Sequence, residues 1–86
     1  MNINNLIAIV KKKIKNEIAV QDINIEDKSF LHVGHKGNDK NKFHLKIFIS
    51  SKELSKMNRI QSSKKIYKIL DKELKSNIHS IQILIS

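Results

Sequence analysis

The chain has 86 residues, a formal net charge of +9 and no cysteine. At this length one domain spanning 1–86 is expected, with a thin core and no room for a deep substrate cleft. The lack of cysteine excludes disulfides, thiolate-ligated zinc and thiol catalysis together, and it fits a reducing compartment.

No stretch is apolar over the roughly 18 residues that a membrane span needs. The start, Met1-Asn2-Ile3-Asn4-Asn5, lacks the basic and apolar regions of a secretory signal, so a cytoplasmic location is expected. The positive excess attracts anions, whether nucleic acid, acidic proteins or membrane surfaces. Only Arg59 is an arginine; every other basic residue is lysine. Lysine is a point charge suited to phosphate, whereas the arginine fork suits guanine, so any DNA binding should show weak sequence selectivity. Biased codon usage is the plainer source of a Lys-, Ile- and Asn-rich composition.

Residues 3–15 read as a helix, because Ile3, Leu6, Ile7, Val10 and Ile14 form one apolar stripe at helical spacing. Lys11, Lys12, Lys13 and Lys15 crowd its C-terminal end, where the helix dipole favours cations. Residues 18–26 read as a strand with Ile23 and Ile25 on one face and Asp22 and Asn24 on the other. The polar stretch from Asp27 to Lys42 holds both glycines, Gly34 and Gly37, and reads as a long hairpin loop. Residues 43–50 are the clearest strand: Phe43, Leu45, Ile47 and Ile49 alternate with His44, Lys46 and Phe48. Phe48 suggests that the second face is not wholly bare.

Ser50-Ser51-Lys52-Glu53 has the spacing of a capping box, with Ser50 as cap and Glu53 three residues on, and predicts a short helix over about 51–56. Asn58-Arg59-Ile60-Gln61 repeats the signal and opens a long helix to about Lys75. Ile60, Tyr67, Leu70 and Leu74, supported by Ile66, are expected to face the core. Lys64, Lys68, Lys72 and Lys75 line the opposite side, either as its wet face or as a track for phosphates. Residues 78–85, rich in isoleucine, read as the last strand.

The order is α-β-β-α-α-β and the class α+β. The first two strands should form an antiparallel hairpin. The helical connection to the third implies a right-handed crossover to a parallel strand. A three-stranded mixed sheet with helices on one face follows.

In this order the residues resemble the BolA family, whose members are similar in topology to class II KH domains. The likeness rests on Glu26-Asp27-Lys28-Ser29-Phe30-Leu31-His32-Val33-Gly34-His35 for the opening motif and on Phe43-His44-Leu45-Lys46-Ile47-Phe48-Ile49-Ser50 for the central strand. Ile78-His79-Ser80-Ile81 stands for the C-terminal signature. One departure matters. The Gln-Arg-His-Arg run common at the head of the family's long helix is Gln61-Ser62-Ser63-Lys64 here, so most of any contact made by that run is lost.

The resemblance implies two non-enzymatic activities. One is partnership with a monothiol glutaredoxin, with a [2Fe–2S] cluster shared between the two proteins and none held by the isolated chain. The other is DNA binding with transcriptional regulation through the helix-turn-helix region, for which Arg59, Lys64, Lys68, Lys72 and Lys75 are the candidate contacts. His79 matches the family's ligand histidine, although a lone histidine at a strand start is ordinarily structural or solvated. His32 is the expected second ligand, with His35 as substitute. Imidazole can replace thiolate on one iron of such a centre and makes it sensitive to pH. Without cysteine the chain cannot supply four thiolates, so any cluster needs ligands from a partner. Alone, the chain is expected to be a monomer or weak homodimer.

Other sites are weaker. His44 is expected on the solvent face of its strand rather than as a ligand. The four histidines lack the paired spacing of a zinc helix. Gly34-His35-Lys36-Gly37 spells the GxxG of KH domains but lies between two strands, whereas a working GxxG lies between two helices. The helices here meet near Lys56-Met57-Asn58, without glycine. The aromatics are too scattered for a base-stacking platform. No nucleophile elbow, P-loop or paired carboxylate supports catalysis.

Overall fold

The computed structural model describes residues 2–28 and 43–86. Helix α1 spans Ile3–Glu17. Asn2 caps it, its side-chain oxygen accepting from the Asn5 amide at 2.8 Å. Leu6, Val10 and Ile14 are fully buried, and Ile3 and Ile7 pack beside them, as the stripe predicted.

Strand β1 is Asp22–Asp27, so the strand starts four residues later than its apolar content suggests. Ile18 is buried, but as the extended residue that ends α1, its amide still bonded to the Ile14 carbonyl. Strand β2 is Phe43–Ser50 and runs antiparallel to β1, with Ile23 opposite Ile49 and Ile25 opposite Ile47. Strand β3, Ile78–Ile85, runs parallel to β2, and the sheet order is β1-β2-β3. The expected α+β class and mixed sheet are therefore present.

Helix α2 is Lys52–Ser55. Its cap is Ser51 rather than Ser50, because Ser50 still belongs to the ladder, opposite Asp22. The Ser51 hydroxyl accepts from the Leu54 amide at 3.2 Å and donates to the Ala19 carbonyl at 2.7 Å. Glu53 consequently closes no capping box and pairs instead with Lys65 at 2.8 Å.

The long helix is broken in two. Helix α3 is Arg59–Ile69 and helix α4 is Asp71–Ser76, separated by Leu70 at φ −99° and ψ 17°. The Asn58–Gln61 capping box that opens α3 is complete, with both reciprocal bonds formed. Ser62, Ile66 and Leu70 form the buried stripe of this stretch. Ile60 and Tyr67, expected in the core, are 68% and 43% exposed. The reason is helical phase: Ile60 lies about 200° from Ser62 and Tyr67 about 100° from Ile66. Leu74 is half-buried against the core.

The core lies between the sheet and the helices. Ile23, Ile25, Leu45, Ile47, Ile49 and Ile78 meet Leu6, Val10, Ile14, Leu54, Ile66 and Leu70. Burying each such side chain contributes about 1.5–3 kcal/mol before the entropy of ordering it. Among the described residues, no helix is long and apolar enough to cross a membrane.

Candidate functional site

The isoleucines of β3 are spaced unevenly. Two residues lie between Ile78 and Ile81, but only one lies between each later pair, Ile81 to Ile83 and Ile83 to Ile85. A strand keeping all four on one face must absorb one extra residue, and the sheet register shows where. Phe43 pairs with Ile78, but His44 pairs with Ser80. His79 is the extra residue of a β-bulge, a feature that re-aims a side chain and interrupts the ladder. His79 and Ser80 are in consequence both exposed, although neighbours in a strand normally point to opposite faces. The bond from the Phe43 amide to the Asn77 carbonyl, 2.8 Å, fixes the start of β3 beside the start of β2.

His44 is not the solvated strand residue expected. It is 4% exposed, and its Nδ1 lies 2.6 Å from the Ser80 hydroxyl across the ladder. The tautomer protonated at Nδ1 donates to Ser80, and the other accepts from it. The His44 and His79 ring centroids are 4.6 Å apart with planes inclined at 48°. The His44 carbonyl accepts from the Lys28 amide at 2.7 Å, which joins the end of β1 to the same place. Sequence reasoning had His79 but missed His44 and Ser80 as its neighbours. The irregular isoleucine spacing was the available signal.

Among the described residues, no three His, Cys, Asp or Glu side chains are grouped to hold an ion. His79 offers one exposed imidazole, which fits one ligand of a cluster completed from elsewhere. His32 and His35 lie outside the described residues, as do Gly34 and Gly37.

Arg59, Lys64, Lys68, Lys72 and Lys75 are all exposed, the lysines as their place away from the apolar side predicted. Lys75 bonds Asp71 one turn earlier at 3.0 Å. Lys64, Lys68 and Lys72 have no acidic partner among the described residues; Lys64 and Lys68 lie one turn apart on α3, and Lys72 lies on α4 beyond the break at Leu70. Lys64 and Lys68 also border a groove of about 730 Å³ between α1 and α3, with Lys13, Asn16, Glu17, Lys65 and Ile69. The helices α2 and α3 meet at residues 56–58, where Asn58 serves as a cap and no glycine is present. That junction lacks the backbone freedom of a GxxG loop.

The sequence profile described as BolA-like protein matches residues 14–86. The chain is 29% identical over 85 residues to "Protein BOLA1, chloroplastic" of Arabidopsis thaliana, covering 95% of this chain and 53% of that protein. It thus spans about half the length of that relative. It is also 29% identical over 75 residues to "DNA-binding transcriptional regulator BolA" of Haemophilus influenzae, covering 87% of this chain and 70% of the relative. Among solved structures, the BolA domain of SufE1 from Arabidopsis thaliana superimposes with a TM-score of 0.77 at 26% identity, covering 92% of this chain and 87% of that one. BolA1 from Arabidopsis thaliana gives 0.77 at 28% identity with the same coverage. Family profile, relatives and fold agree over nearly the whole chain, which therefore belongs to the BolA-like family.

Proposed function

We propose that the chain acts in the cytoplasm as an adaptor, not an enzyme, that joins a monothiol glutaredoxin through a [2Fe–2S] cluster shared between the two proteins. His79 supplies one ligand, and His32, or His35 in its place, the second. The observation that carries this reading is the bulge, which presents an exposed imidazole at the start of an ordered strand. Buried His44, bonded to Ser80, packs beside that imidazole and limits where it can turn. When bound, a cluster with imidazole ligands supplies a higher potential than an all-thiolate one. The direct experiment reconstitutes iron and sulfide with each protein alone and with both together. A visible circular dichroism spectrum specific to the mixture is expected. A mixture that gives only the sum of the separate spectra removes the reading.

A second reading is favoured by Lys64, Lys68 and Lys72, which have no acidic partner among the described residues, with Arg59 at the head of α3. On α3 the four-residue spacing puts Lys64 and Lys68 about 6 Å apart along the axis, a separation suited to successive phosphates, and Lys72 follows on α4 beyond the break at Leu70. The Haemophilus relative carries the name of a DNA-binding regulator, and the same activity is proposed here for duplex DNA. Affinity should fall steeply with salt, and each lysine removed should reduce the slope by about one. No binding at low salt removes this reading.

A further inference from the structure

The groove of about 730 Å³ between α1 and α3 has the size of a small-molecule site. Its walls are basic. Lys13 enters from α1, and Lys64, Lys65 and Lys68 enter from α3, against a single carboxylate, Glu17. Two of these cations are held from outside the groove. Glu73 accepts from Lys13 through both oxygens, and Glu53 accepts from Lys65. An ammonium has three N–H donors, so each of these lysines keeps at least one for a ligand. Lys64 and Lys68, one turn apart on α3, have no acidic partner among the described residues. Cations gathered in one groove repel one another and focus a field that draws in a multiply charged anion. The rest of the lining is different in kind. Ile69 adds a half-buried apolar surface, and Asn16 and Glu17 are exposed in the last turn of α1.

We propose that this groove binds a nucleoside oligophosphate, with the phosphates on the four lysines and the nucleoside beside Ile69, Asn16 and Glu17. Each part of the ligand answers a part of the lining. Charge-assisted hydrogen bonds from ammonium groups suit phosphate oxygens. The Asn16 amide both donates and accepts, and the Glu17 carboxylate accepts, which matches the amines of a base and the hydroxyls of a sugar. Ile69 offers an apolar surface to the face of the base. An acidic peptide would also use the lysines, but its carboxylates would be repelled by Glu17. The inference goes beyond the two readings above. It uses neither His79 nor any metal, and Arg59 and Lys72, candidates for duplex contact, do not line the groove.

The test titrates magnesium-free ATP and, separately, inorganic triphosphate into the whole chain at low salt, with amide chemical shifts as the readout. ATP should saturate with a Kd between about 10 μM and about 1 mM, and its shifts should centre on residues 13–17 and 64–69. Inorganic triphosphate should bind at least about tenfold more weakly, because it leaves Asn16, Glu17 and Ile69 without a partner. Lys64→Gln/Lys68→Gln, which changes two exposed side chains, should weaken ATP at least about tenfold. Lys52→Gln/Lys56→Gln removes the same charge from exposed positions outside the groove and should change the Kd by no more than about twofold. Where a variant folds poorly, the wild-type shift map and the ATP–triphosphate comparison decide alone. Shifts that do not saturate, shifts centred on other elements, or equal binding of triphosphate and ATP overturn the proposal. Equal losses in the two double variants overturn it as well, since they would show attraction to net charge only. Duplex DNA titrated in parallel reads the second reading separately, and its failure to bind leaves the ATP result standing.

Discussion

The Nδ1 of buried His44 lies 2.6 Å from the hydroxyl of Ser80, a side-chain bond between two parallel strands one residue from the bulged His79. This pair is the part of the site fixed most firmly by local chemistry. A buried imidazole that loses a hydrogen-bond partner costs about 1–3 kcal/mol. Ser80→Ala should therefore lower unfolding free energy by about 1 kcal/mol, measured by urea denaturation. Ser80→Thr, which keeps the hydroxyl, should retain most of it. Equal stability of Ser80→Ala and the wild type would show that the bond contributes nothing.

The second relationship ties α1 to α4. Glu73 is 5% exposed, and both its oxygens accept from the Lys13 ammonium, at 2.6 and 2.8 Å. Lys13 itself is over one-third exposed, so the pair lies between a surface and a buried ion pair. Lys13→Met should cost about 2 kcal/mol, because it leaves a desolvated carboxylate without its partner. Lys13→Met/Glu73→Leu should recover most of that loss. A double variant whose loss equals the sum of the singles would remove the coupling.

Acid should weaken a different contact. The hydrogen bond from Lys65, assisted by its charge, holds the Glu53 carboxyl below its ordinary value of 4.5 against an opposing effect of burial. Glu26 is lowered likewise by Lys28. A carboxyl lowered in the folded state contributes stability above its unfolded value, and that contribution is lost as pH falls through the folded value. The stability curve should therefore decline from about pH 4.5 downward. In Lys65→Met the decline should be shallower, and thermal melting at stepped pH checks it. An identical acid limb in the variant contradicts the assignment.

The Asn58–Gln61 capping box should be worth about 1 kcal/mol at Asn58 and less at Gln61. Asn58→Ala and Gln61→Ala, compared by urea denaturation, should rank in that order. Asn58→Ser should be nearly silent.

The elements that were legible in the sequence are those with an unbroken period. The stripe of α1 gave Leu6, Val10 and Ile14 directly, and the alternation of β2 gave Leu45, Ile47 and Ile49, since one face of each meets the core. The capping signal at Asn58 was read correctly because its side-chain chemistry is local. The signal at Ser50 failed because the ladder holds that residue and passes the cap to Ser51. Ile60 and Tyr67 misled because the stripe of α3 is occupied partly by Ser62, a small polar residue that hydropathy overlooks. The break at Leu70 carries no glycine or proline to announce it. At the site, His79 was identified by resemblance, and the structure adds its position on a bulge. His44 was misplaced because outward alternation implied solvent, while Ser80 and His79 across the ladder enclose it.

The most direct test of the central claim replaces the bulged histidine in the mixed complex with a glutaredoxin. Visible circular dichroism should change strongly for His79→Ala, and His79→Cys should restore a cluster with a different, thiolate-type spectrum. His44→Ala, with its own stability loss allowed for, should leave the ligand set intact. A mixed-complex spectrum unchanged by His79→Ala and by His79→Cys would contradict the account.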